Sequence, residues 1–402
     1  MDTASTQIVL VLEYLVKPIQ IGTNLALVQL MWCILTGSFL DSRGAIHSAL
    51  LNSQYDRKTI QRCWRVVRYG VWSIEELLLR WQLWCEEETT WQPHSHGGWQ
   101  PVAFDITTFW RPKLKKWQGR GFHRIAGRLM PGVPVGVVVR VGQIDGQRIP
   151  LLLKLLRASK TDTDERQIEK KLLAHACDHL APHQVGLFDA GFNLSAVQAA
   201  GVTNFVVRMA RNCVLRRNYV PPDEKGKRGA KRKFGDCVRP LARQYKEKKT
   251  PATAPDKIVT FTQAGHTVTA HGWSNLVRYD QKANKQNAPV HIWAFHDPRY
   301  LKPMVLATSL SASADVILNL YLDRWPVEQV PLVAKQMLGL QRMFVHATLS
   351  VQRLPELALL MANVLTVTAA VLPSMPSGYW DRHPKKRVVG FGASSSVLNF
   401  AT

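Results

Sequence analysis

Between residues 101 and 209 the sequence alternates short apolar runs with amphipathic stretches, and this order limits the fold most. Val102, Ala103, Phe104 and Ile106 form a first apolar run carrying Asp105, with Thr107 and Thr108 behind it. Val135–Ile144 and Arg148–Leu155 are two β-rich runs joined by Asp145-Gly146, a dipeptide that supplies the positive φ angles of a tight hairpin. An amphipathic helix is predicted over Asp162–Leu180, strands over Val185–Asp189 and Asn204–Met209, and a short helix over Leu194–Gly201. The reading is β, β-hairpin, α, β, α, β, which is the pattern of an α/β layer.

Two of these strands carry a carboxylate. Asp105 interrupts the first, which is expected to end near it, and Asp189 closes the segment Gln184-Val-Gly-Leu-Phe-Asp189. An acid in an apolar strand needs a partner or a metal, although either residue alone also suits a strand-end turn. A third charged group lies in Tyr321-Leu-Asp-Arg324-Trp-Pro-Val-Glu328-Gln-Val-Pro-Leu-Val-Ala-Lys335, spaced Y-x2-R-x3-E-x6-K. On one continuous α-helix these four residues would fall within roughly 60° of each other. Such a face suits phosphate and metal; the spacing alone is equally that of a charged surface helix.

Taken together, these motifs resemble those of bacterial insertion-sequence transposases of the DDE type, in the group with a Y-R-E-K signature. The signature matches in full, and "FDITTF" and "LFDAGF" resemble the group's two Asp motifs. The resemblance runs from about residue 20 to about residue 370. It implies an RNase H-like core with a β-rich insertion, preceded by an all-α N-terminal domain. It also implies Asp105, Asp189 and Glu328 as catalytic acids holding two Mg²⁺ (or Mn²⁺) ions. Arg324, Lys335 and Tyr321 would grip DNA phosphates. The implied reaction cuts at transposon ends and joins the freed 3′ ends to target DNA, as a homodimer on double-stranded DNA. Alternatives are a catalytically degenerate DNA-binding protein and a metal-dependent nuclease without strand transfer. One departure is Pro331, which removes a helix N–H and is expected to bend the segment before Lys335; Pro326 can begin a new helix.

The domain expectations follow. Residues 1–90 read as helical, with helices over Arg43–Asn52, Asp56–Tyr69 and Ser73–Trp84 and a capping box at Ser73 and Glu76. Arg57, Lys58, Gln61, Arg62 and Arg65 follow a polar turn, as in a helix-turn-helix reader of DNA; a small bundle with a solvated basic face has the same pattern. Residues 91–209 hold the first part of the core, opening on a polar linker at 91–100. Residues 210–311 form the insertion, with a basic loop (Lys225, Lys227, Arg228, Lys231, Arg232, Lys233) and strands over Ile258–Thr262, His266–Thr269, Val290–Phe295 and Met304–Ala307. Residues 312–372 carry the signature and an apolar helix over Pro355–Ala370, and 373–402 read as a basic, poorly ordered tail.

A formal charge of +23 calls for a polyanionic partner. The six cysteines form no C-x2-C pair, which argues against a zinc ribbon or disulfide framework and fits a reducing cytoplasm, here near the nucleoid. No membrane partner is expected. His175, His179 and His183 read as a polar helix end, and Trp273 and Trp293 as packing residues before base-stacking ones. No phosphate-binding G-x4-G-K-[ST] motif occurs.

Overall fold

In the computed structural model, residues 3–42, 44–111, 114, 117–123, 125–158, 164–218, 234–278 and 288–374 are described. They form two compact units. Unit 1 comprises Met1–His94, Ala103–Leu172 and Trp325–Thr402, and unit 2 comprises Ser95–Val102 and Leu173–Arg324. The protein is mixed α/β.

The N-terminal residues of unit 1 are helical: α1 (Thr3–Val16), α2 (Thr23–Leu35), α3 (Ile46–Asn52), α4 (Arg57–Tyr69) and α5 (Ile74–Glu88). The caps are those the sequence supplies. The Asp56 side chain accepts from Thr59 N at 2.6 Å, and Ser73 Oγ from Glu76 N at 3.4 Å. Strands β1 (Gln92–Pro93), β2 (Gln100–Trp110), β3 (Arg120–His123), β4 (Arg128–Ile144) and β5 (Gln147–Arg157) follow, so the stretch expected to be a linker already contains a strand. β2 does not end at Asp105 but runs on to Trp110, because Thr107, Thr108 and Phe109 are β-branched or aromatic and all buried. β4 pairs antiparallel with β5, and the turn between them has Asp145 at φ 48° and Gly146 at φ 75°. Those are the angles of a tight hairpin turn.

Helix α6 (Glu165–His179) leads into unit 2, which continues with β6 (Gln184–Phe188), α7 (Leu194–Ala199) and β7 (Phe205–Arg208). Next come β8 (Leu215–Asn218), β9 (Phe234–Val238), β10 (Arg243–Tyr245), β11 (Lys248–Thr250), β12 (Lys257–Gln263), β13 (His266–Val277), β14 (Val290–His296) and β15 (Met304–Thr308). β6 and β7 are parallel, and β7 then pairs antiparallel with β15, which pairs with β14, and β14 with β13. The strands of the expected insertion thus continue the sheet begun by β6 and β7. The basic loop at 225–233 and the tail from 375 lie outside the described residues.

The chain closes with α8 (Ala314–Leu322), α9 (Pro326–Leu332), a π-helical turn (Val333–Met337) and α10 (Thr348–Val371). α10 begins well before Pro355 and is the buried centre of unit 1, packing on α2, α4, α5 and β5. It is long and apolar enough to cross a membrane, yet mostly buried within the protein. Within it Asn363 is fully buried and joins three elements. Asn363 Oδ1 accepts from Trp81 Nε1 at 2.8 Å and Leu152 N at 2.9 Å, while its Nδ2 donates to Pro150 O at 2.6 Å. At Gly44 (φ +77°), a Cβ would lie 1.6 Å from the Arg342 carbonyl oxygen, so only glycine fits there.

Candidate functional site

The signature segment is not one helix. α8 ends at Leu322, where Arg324 N turns back to Tyr321 O at 3.0 Å, and Pro326 opens α9 at its first position. Pro331 lies inside α9, and two residues later the chain passes into the π turn, closed by Leu338 N to Val333 O at 3.0 Å. Proline supplies no N–H at 331 and its ring crowds the preceding turn, so α9 is short. Tyr321 therefore stands in the last turn of α8, Arg324 in the connection, Glu328 in the first turn of α9 and Lys335 in the π turn. The single-face argument from helical spacing does not hold.

Each unit gathers its own share of these residues. In unit 1, alternation along β2 puts Asp105, Thr107 and Phe109 on one face. Lys335 meets that face: its Nζ donates to Thr107 Oγ1 at 2.7 Å and lies 5.1 Å from the Phe109 ring centre. Burial pulls the Lys335 ammonium down to about 8, while the negative charges of Asp105 and Glu165 favour its protonated form. Glu165, the first residue of α6, accepts from Thr108 Oγ1 at 2.8 Å and from Phe122 N at 3.2 Å. Nothing in the sequence singled it out beyond an acid at a helix start. Glu328 is exposed on α9, which packs on β4 and β5.

In unit 2, Asp189 follows β6 and its Oδ1 accepts from Gly191 N at 2.8 Å. Phe188 is in register with Val207 of parallel β7, so Asp189 and Arg208 leave the sheet at the same end. Tyr321 is buried, and burial raises its hydroxyl pKa; the positive charges of Arg324 and Arg208 oppose that rise and the negative charge of Asp189 adds to it. The Arg324 guanidinium lies 5.7 Å from the Tyr321 ring centre. Arg324, Arg208 and Asp189 thus all act on Tyr321, although 132 residues separate Asp189 from it. Arg208, which ends the apolar run Phe205–Val207, was missed.

A second missed acid is Asp323, fully buried between Tyr321 and Arg324 in sequence. Its Oδ2 lies 2.7 Å from His96 Nε2.

α4 has one buried and one exposed face, a division common to a reading helix and to a bundle helix with a solvated basic face. Ile60, Cys63, Val66 and Val67 are buried, whereas Arg57, Lys58, Gln61, Arg62 and Arg65 are exposed. α3 packs against α4, and Arg68 lies over the rings of Trp64 and Tyr69 at 5.2 and 4.8 Å. Trp273 is a core residue, its Nε1 donating to Ala254 O at 2.9 Å, and Trp293 is half-buried. The His175 and His179 rings stack at 4.2 Å on the helix end. A scan against protein-family models gives no match to this chain, and a search of curated proteins gives none either.

Proposed function

We propose that the protein is a DDE-type DNA transposase of the Y-R-E-K group, built on an RNase H-like core. It binds the terminal repeats of its element as a homodimer, cleaves there and joins the 3′ ends to target DNA. The observation that carries this reading is the pairing of motif residues within each unit. Lys335 is drawn to the Asp105 strand in unit 1, and in unit 2 Tyr321 feels the charges of both Asp189 and Arg324. A lysine beside one Asp motif and a phenol beside the other are consistent with phosphodiester chemistry.

Asp105, Asp189 and Glu328 are the carboxylates assigned to metal. Their donor set is oxygen only, which fits Mg²⁺ or Mn²⁺. Bound divalent metal would supply an activated water and charge neutralisation at the phosphorus. Arg324 holds a phosphate through its guanidinium, Tyr321 donates from its hydroxyl, and Lys335 keeps its ammonium beside the phosphate by leaning on Thr107. The exposed face of α4 reads the repeat, and the excess positive charge holds DNA without regard to sequence. The protein works in the cytoplasm, at the nucleoid.

The test is incubation of purified protein with the inverted repeats that flank its gene, with Mg²⁺ or Mn²⁺. Cleavage followed by joining of the 3′ ends supports the proposal, as does loss of both reactions in Asp105→Ala, Asp189→Ala and Glu328→Ala with DNA binding kept. Cutting without joining would make the protein a nuclease; binding without cutting would make it a degenerate descendant.

A further inference from the structure

Arg111 is a buried cation that no motif in the sequence singled out. It directly follows β2, and its backbone is fixed: Arg111 N donates to Pro131 O of β4 at 2.9 Å, and Leu114 N donates to Arg111 O at 3.0 Å. The residue is only 8% exposed. Its Nη1 is buried without a hydrogen-bond partner. Burial alone lowers its pKa, and no carboxylate among the described residues opposes that fall. A guanidinium does not shed its proton to escape burial, so the positive charge stays. Such a charge is costly unless something pairs with it. Arg157, Arg217 and Arg299 show the usual solution, being held by the carboxylates of Glu356, Asp256 and Asp297.

The Phe344 ring centre lies 5.9 Å from the Arg111 guanidinium. A ring holds a guanidinium without cancelling its charge. Phe344 is itself exposed, so the pair stands at an edge of unit 1 that a ligand can reach. The alternation that puts Asp105, Thr107 and Phe109 on one face of β2 brings Arg111 to the same side. The segment after α9 meets both residues from that side, with Lys335 at the Phe109 ring and Phe344 at Arg111. Six residues of extended chain separate Asp105 from Arg111, about 20 Å. That is too far for both to act on one phosphate.

We propose that Arg111 is an anion-binding residue at the end of β2, holding a phosphate group through its guanidinium beside the Phe344 ring. The proposal uses the transposase reading only for the source of that phosphate, a backbone phosphate of bound DNA lying beyond the one at Asp105. A free phosphate would use the same planar fork.

Full-length protein is compared with Arg111→Met and Arg111→Lys. Each is titrated with a fluorescent 30-base-pair duplex across a salt series, and melted with and without inorganic pyrophosphate. Without ligand, Arg111→Met should melt higher than wild type, because an unpaired buried charge is gone. It should nevertheless bind the duplex about tenfold more weakly at 0.1 M salt, with a log–log salt slope shallower by roughly 1. These opposite signs separate an anion site from a structural arginine, whose loss would lower stability and leave the slope alone. Arg111→Lys keeps the charge and should keep the slope. Pyrophosphate should raise the wild-type melting temperature by more than that of Arg111→Met. A change confined to the duplex assigns the site to DNA, and one confined to pyrophosphate assigns it to free phosphate. If the wild type binds no duplex but keeps a pyrophosphate response that Arg111→Met lacks, the site stands and the transposase reading fails. Equal salt slopes and equal pyrophosphate responses in wild type and Arg111→Met overturn the inference. An Arg111→Met chain that does not fold overturns it too, since the charge would then serve the fold.

Discussion

Lys335 Nζ donates a 2.7 Å hydrogen bond to Thr107 Oγ1, joining residues 228 positions apart. The ammonium is half-buried, so this acceptor replaces water it has lost. Thr107→Val keeps the shape and removes the acceptor, and it should cost about 1–3 kcal/mol in urea denaturation. In a Lys335→Met background the same change should cost much less. An equal cost in both backgrounds would mean that the bond does not form.

The pH dependence of stability follows from the same lysine. Its folded pKa is about 8, below the unfolded value of 10.5, so the unfolded chain binds more protons between these values. Burial of the charge therefore costs stability fully below pH 8, and the cost fades as pH rises towards 10.5. Lys335→Met should be more stable than wild type at pH 7.5, on the order of 1–3 kcal/mol. By pH 10 that gap should shrink. A gap that stays constant with pH would show that the lysine titrates normally.

Asn363 is the polar knot of unit 1. Asn363→Leu leaves Trp81 Nε1, Leu152 N and Pro150 O buried without their partner. Each such group costs about 1–3 kcal/mol, so the substitution should lower stability by roughly 4 kcal/mol or more. Thermal melts of the two proteins measure this. A loss below about 1 kcal/mol would mean that water reaches the knot.

Gln61 is exposed on α4 beside Arg57, Lys58, Arg62 and Arg65. If α4 reads bases, Gln61→Ala in the full chain should relax preference at one base pair, by about 1–3 kcal/mol. Selection from a randomised repeat measures this. Weaker binding to all sequences alike would make Gln61 a backbone contact.

Much of the local structure was legible. The Asp145-Gly146 turn, the Asp56 and Ser73 caps and the two-sided pattern of α4 are rules of backbone angle, hydrogen bonding and periodicity, which act over a few residues. What failed was the assumption of one continuous helix through Tyr321 and Lys335. Pro326 and Pro331 were both visible, but whether a chain bends, restarts or widens at proline is decided by what packs around it. Long-range partners were legible only as types. Glu165, Arg208 and Asp323 gave no signal of their own, since their meaning lies in Thr108, Tyr321 and His96, each far away in sequence.

Unit 1 is assembled from segments at both ends of the described chain, with α10 at its centre. During synthesis the N-terminal helices leave the ribosome long before the helix they pack on. Before residue 348 has been made, α2 can close on α1, α3 and α4, and α5 on α1 and β5, but the faces that α10 covers stay open until the end of the chain has been synthesised.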